Sequence, residues 1–123
     1  MGINEISQII LDCAFKIHSA LGPGLLESVY KECLAYELKK TGLFVEKEKA
    51  LPLIYEDIQM ECGYRIDLIV ERKVIVELKV VDGFNDVHIA QTLTYMKLSG
   101  CSLGLLLNFY TKSLKNGIKR LIL

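Results

Sequence analysis

Residues 74–81 run Val74-Ile75-Val76-Glu77-Leu78-Lys79-Val80-Val81, an apolar stretch interrupted by one acid and one base two positions apart. In an extended strand successive side chains alternate between faces, so Glu77 and Lys79 point the same way. Val74, Val76, Leu78 and Val80 share the opposite face, and Ile75 and Val81 flank the charged pair on its own face. Both faces are therefore apolar, as in a strand covered on each side by other layers. Charges embedded in such a strand are costly unless they are paired or bind something. The competing reading is a mutual ion pair on an exposed face.

The rest of the chain supplies the layers such a strand needs. Ile3, Ile6, Ile10, Cys13, Ala14, Ile17 and Leu21 recur at helical spacing, and Gly22-Pro23-Gly24 ends that pattern. A second helix is expected from about Leu25 to Lys40, stopped by Gly42. Leu43 to Tyr55 reads as one extended segment, at an edge because of Pro52. After a turn at Glu56-Asp57, Met60 to Val70 and Lys73 to Val81 are the clearest strands, joined at Glu71-Arg72. Helical spacing returns from Asn85 to Leu98, a buried strand follows from Ser102 to Phe109, and Ile118 to Leu123 adds a short last one. A helix between strands implies a crossover, hence an α/β fold with a mixed central sheet flanked by helices.

The 123 residues fit one domain, residues 1–123, and at 51% hydrophobic they suffice for a packed core. Fifteen basic and fifteen acidic residues balance, which excludes a strongly basic nucleic-acid binder. Contact with phosphates must then use a metal ion or a local patch, the best being Lys112, Lys115, Lys119 and Arg120. Cys13, Cys33, Cys62 and Cys101 are scattered, which suits core thiols better than a zinc or iron–sulfur site. No signal peptide or membrane span is visible, so a cytoplasmic location is expected.

Besides Glu77 and Lys79, further positions stand out as chemistry. Asp67 interrupts the strand Tyr64–Val70 and is followed by three apolar residues; taken alone it also reads as a solvated strand-end acid. If it lies on a neighbouring strand, its carboxylate converges with that of Glu77, and two carboxylates suit Mg²⁺, a hard ion that takes oxygen ligands. Lys79 would then assist a water or stabilise charge developing on phosphate. Glu27, in the first turn of the second helix, is either an extra carboxylate for the metal or a partner of the helix dipole. Tyr30 shares its helix face and reads first as a packing residue. His88, Gln91 and Tyr95 fall on one stripe of the third helix and either line a site or face solvent. His18 flanks the glycine turn; it reads first as a satisfied helix-end histidine, and second as a site residue.

Together these pieces resemble the small GxxExxY proteins of the PD-(D/E)xK nuclease superfamily. The naming motif is Gly24, Glu27 and Tyr30, within GPGLLESVY. The other matching segments are YRIDLIVE, VIVELKVV, HIAQTLTYMKLSG, GLLLNF and GIKRLIL. The resemblance implies a restriction-endonuclease-like core of order α-β-β-β-α-β with an additional N-terminal helix. It implies that Asp67 and Glu77 hold a divalent metal, Mg²⁺ or Mn²⁺, with Glu27 as a further acid and Lys79 as the catalytic lysine. Gln91 and Tyr95 resemble the QxxxY element of RecB-like nucleases. Ile66 stands where the superfamily name has proline, and the clustered cysteines of iron–sulfur relatives are absent.

The expected activity is metal-dependent hydrolysis of nucleic-acid phosphodiesters, DNA rather than RNA, by a homodimer with no membrane partner. The alternatives are a non-catalytic nucleic-acid or protein binding module that keeps the fold, and a hydrolase of a small phosphorylated molecule.

Overall fold

The computed structural model describes all 123 residues. Helix α1 (Ile3–Leu21) buries Ile6, Ile10, Cys13, Ala14 and Ile17, the stripe its spacing sets up. It ends at Gly22, whose φ of 72° suits a residue without a Cβ. Helix α2 (Glu27–Lys40) packs beside it and buries Tyr30, Leu34, Ala35 and Leu38. It begins two residues later than expected, because Leu26 is still extended and Glu27 is the first helical residue.

Five strands form one sheet in the order β1 (Val45–Ala50), β4 (Arg65–Val70), β5 (Val74–Lys79), β6 (Leu103–Asn108), β7 (Ile118–Ile122). Strands β5 and β6 are parallel, bridged by helix α3 (Asp86–Ser99), and every other pairing is antiparallel. The β4–β5 turn forms where the charged dipeptide predicts it. Glu71 and Arg72 both adopt φ of 54°, and Lys73 N–H donates to Val70 C=O at 3.0 Å.

The expected extended segments at 43–55 and 60–70 are each broken. Leu51 and Pro52 leave the sheet, and Leu53–Tyr55 (β2) pairs with Ile58–Met60 (β3) as a separate hairpin. Pro52 has no N–H to give a ladder. Residues 61–64 connect the hairpin back to β4 without regular structure.

The sheet separates two apolar layers. On one side Leu68, Val70, Val74, Val76, Leu78, Leu103, Leu105 and Leu107 pack against α1 and α2. On the other, Ile69, Ile75, Leu106 and Leu121 pack with Tyr95, Met96 and Cys101 around α3. Ile66 joins the α3 layer while Leu68, of the same parity, joins the other. Strand β4 thus breaks its alternation at Asp67.

Candidate functional site

Asp67 occupies a gap in the sheet. Strand β4 pairs with β1 at Lys47↔Leu68 and Lys49↔Ile66, but Asp67 itself has no partner there. On its other side the β4–β5 ladder stops at Leu68↔Val76, one position short of Glu77. Two carboxylates fill the opening. Asp67 N–H donates to Glu77 Oε2 at 2.7 Å, and Leu78 N–H donates to Asp67 Oδ2 at 2.9 Å. Each acid replaces a ladder bond that the other's strand has lost, so buried amides are satisfied and both side chains are held.

This arrangement concentrates negative charge. Glu77 is buried, at 4% exposure. Burial, then the nearby Asp67 and Glu27 charges, push its carboxyl up to about 8, against the pull of the Asp67 N–H and of Lys79. Burial also raises Asp67, opposed by the Leu78 N–H, Lys31 and Lys79. Glu27, the first residue of α2, is raised by burial and by Asp67, with Lys79 and Lys31 pulling down. Three carboxylates and two lysines therefore share one field. They do not form a closed cage, since no three His, Cys, Asp or Glu side chains converge as a metal cluster. Asp67 and Glu77 are the intimate pair, and Glu27 acts on them through charge.

The donor set fits a hard divalent cation. Glu77 Oε1 and Asp67 Oδ1 accept no hydrogen bond from the protein, and no buried side-chain oxygen is left without a partner, so both retain access to solvent. Oxygen donors with open positions suit Mg²⁺ or Mn²⁺ rather than a thiolate-loving metal.

Lys79 ends β5, half-buried, with its backbone in register with Asn108 of β6. Asn108 holds the segment that follows, accepting from Val81 N–H at 3.2 Å and donating to Val81 C=O at 2.8 Å. Two further groups were not evident in the sequence. Lys31 Nζ lies 2.9 Å from Glu48 Oε1 and 3.9 Å from Asp67 Oδ1. Its position four residues after Glu27, hence on the same helix face, was the available signal. Glu48 carries no signal at all, being one of several charges in β1.

The polar stripe of α3 divides. Tyr95 is buried, and burial followed by the charge of Glu77 pushes its phenol up to about 12. Gln91 and Tyr95 line a cavity of about 330 Å³ with Tyr64, Leu53 and Thr94, and the Tyr64 and Tyr95 rings meet edge-on at 6.3 Å. His88 instead caps its own helix: Asn85 N–H donates to His88 Nδ1 at 3.2 Å and His88 N–H to Asn85 Oδ1 at 2.9 Å. His18 is buried, with Nε2 2.8 Å from the Thr111 carbonyl oxygen and its ring beside Phe109. Tyr30 ties down the glycine loop: its hydroxyl donates to Gly22 C=O and accepts from Leu25 N–H at 3.0 Å. Its ring stacks on Phe109 at 4.5 Å. Of the basic patch, Arg120 is bound to Ser7 and Asn4 of α1, and Lys119 and Arg120 lie on β7, with β6 between them and β5.

A mixed sheet flanked by helices, opened at an acid pair with a lysine two residues on, defines a restriction-endonuclease-like architecture. The chain belongs to the PD-(D/E)XK nuclease superfamily, whose family model matches residues 4–121. Proteins of this superfamily are usually nucleases and generally use divalent metal ions. A comparison with curated proteins finds no match, and neither does one with solved structures. No helix is long and apolar enough to cross a membrane.

Proposed function

We propose that residues 1–123 act as one nuclease domain of the GxxExxY type, hydrolysing nucleic-acid phosphodiester bonds with Mg²⁺ or Mn²⁺. The reciprocal lock between Asp67 and Glu77 carries this reading. It fixes two carboxylates at one opening and leaves each a free oxygen, the preorganisation an electrostatic catalyst needs. Asp67 and Glu77 would hold the cation, and Glu27 would act through an intervening water. When bound, such an ion supplies Lewis acidity and lowers the pKa of water.

The chain's own groups do the rest. Lys79 presents a positive charge and N–H donors at the rim, where a phosphate oxygen gaining charge can be stabilised. Asn108 keeps the backbone after Lys79 from shifting. Gln91, Tyr64 and Tyr95 line a cavity in which an unpaired base can stack and hydrogen-bond, and its Tyr95 lies within the field of Glu77 and Asp67. His88 and His18 support the site through the backbone they hold. We propose DNA rather than RNA as the polymer, a cytoplasmic setting, and a homodimer, since duplex footprints usually need more surface than a domain of this size gives. A monomer by light scattering would remove the last point.

The test is cleavage of single-stranded, double-stranded and branched substrates with Mg²⁺ or Mn²⁺, beside Lys79→Ala. The variant is expected to lose about 10²–10³-fold in kcat, as when a charge-stabilising group is removed. The neutral overall charge favours one competing reading, a binding module that keeps the fold. Metal binding by the wild type with no cleavage of any substrate would establish that module instead.

A further inference from the structure

We propose that Lys31 is a built-in placeholder cation: in the metal-free protein its ammonium, anchored on Glu48, also faces Asp67, and a divalent cation taking over Asp67 leaves Lys31 to Glu48 alone. This rests on the metal reading above and concerns how the site exchanges one cation for another.

Lys31 projects from α2 one turn after Glu27, so the helix delivers an acid and a base to the same opening. Its Nζ is 3.9 Å from Asp67 Oδ1. That is the oxygen not engaged by Leu78 N–H, and so the one a metal would need. The position is therefore already facing a positive charge. Lys31 and Asp67 are only 13% and 17% exposed at their side chains, so water screens the contact incompletely. Burial works against the Lys31 ammonium, but its bond to Glu48 and the charges of Asp67, Glu48 and Glu27 outweigh that and favour the charged form.

Glu48 holds Lys31 at this position. It lies in mid-strand on β1, at the position opposite Asp67 that the ladder skips. Its φ is 52°, a left-handed conformation uncommon for a residue with a Cβ in mid-strand. That backbone removes Glu48 from pairing, and its carboxylate bonds Lys31 at 2.9 Å. Lys31 is the one lysine here that bridges two acids; Lys16, Lys40, Lys47 and Lys49 each pair with one. Glu48 thus anchors the lysine beside a metal-binding oxygen, and the lysine keeps that partner when a dication takes Asp67.

The two partners then have opposite effects on metal affinity. Calorimetry with Mn²⁺ alone, in the absence of nucleic acid, should show Lys31→Met binding about tenfold tighter, because a unit charge no longer repels the dication. Glu48→Gln should bind several-fold more weakly, since Lys31 is no longer drawn aside. In the Lys31→Met background the same Glu48→Gln change should have little effect, which separates release of Lys31 from the plain loss of a negative charge. Circular dichroism checks folding, and Lys31→Gln replaces the methionine variant if that one does not fold. Wild type that binds Mn²⁺, with Lys31→Met unchanged or weaker, or with Glu48→Gln equally costly in both backgrounds, overturns the placeholder and leaves the metal reading intact. Wild type that binds no Mn²⁺ even at millimolar concentration overturns both.

Discussion

Strands β5 and β6 lie side by side, parallel and in register, and are almost equally buried, yet they are put to opposite uses. β6 is buried along its whole length and carries only apolar side chains and glycine until Asn108. β5 is buried from Val74 to Leu78 but places Glu77 opposite Leu106 and Lys79 opposite Asn108. Burial alone therefore does not separate scaffold from site. What separates them is whether the buried group gains or loses by being there. Leu106 gains from transfer out of water. Glu77 is penalised by it, and burial with the nearby Asp67 pushes its carboxyl up to about 8, a cost that binding a cation would offset on the reading proposed above.

The largest expected effects set this contrast directly. Glu77→Gln keeps the shape of the side chain and removes its charge. Cleavage in single-turnover assays should fall by about 10³-fold or more, as when a key electrostatic group is lost, while thermal stability in chelator stays equal or rises. Leu106→Ala, its registered neighbour, should do the reverse. Stability should drop by about 2–5 kcal/mol for the cavity left behind, with turnover per folded molecule nearly unchanged. If Glu77→Gln lowers stability as much as Leu106→Ala does while turnover per folded molecule is retained, the division of labour between the strands is wrong.

Much of this division can be read from residue order. The alternation of residues 74–81 places Glu77 and Lys79 on one face, and a ten-residue offset brings Asp67 opposite. The positions of α1, α3 and β6 follow from spacing and from the glycines and Asn85 that bound them. Three features lie beyond such patterns. In Leu43–Met60 the one local sign that β2 and β3 leave the main sheet is Pro52, which marks a break but not where the hairpin goes. The gap at Asp67 arises because side chains replace ladder bonds, a tertiary outcome that parity rules do not contain. The Lys31–Glu48 contact joins a helix to a strand, and no periodicity links them. The histidines show the converse: His88 and His18 have the chemistry of site residues, but backbone groups of Asn85 and Thr111 take them up.

The next effect is smaller and depends on pH. Burial and the Asp67 charge push the Glu77 carboxyl up to about 8 from an ordinary 4.5. Between those values the native state keeps a proton that the unfolded chain has released. Stability should therefore fall as pH rises across that window, by at most about 1.4 kcal/mol per pH unit for one proton. Asp67, also raised, contributes in the same direction. Denaturant titrations in chelator near pH 5 and near pH 8 measure the slope. Glu77→Gln should flatten it, and a slope that survives the substitution would assign it to other groups. Added Mn²⁺ should restore stability at the high-pH end, because it favours the ionised pair.

The smallest effect tests where scaffold meets site. Phe109, directly after β6, stacks on Tyr30, and the Tyr30 hydroxyl ties Gly22 C=O and Leu25 N–H together just before Glu27. The tyrosine thus relays the position of the apolar strand to the start of α2, where Glu27 lies within the field of Asp67. Tyr30→Phe keeps the stack and removes only the hydroxyl. The cost should be about 1 kcal/mol of stability for the lost hydrogen bonding. If the loop also orients Glu27, kcat should fall several-fold with KM little changed. Adding Glu27→Gln to both the wild type and the Tyr30→Phe variant should then abolish most of the difference between them. A stability loss with unaltered kcat would make Tyr30 part of the scaffold alone, and would move the boundary between the two strands' roles to the near side of the glycine loop.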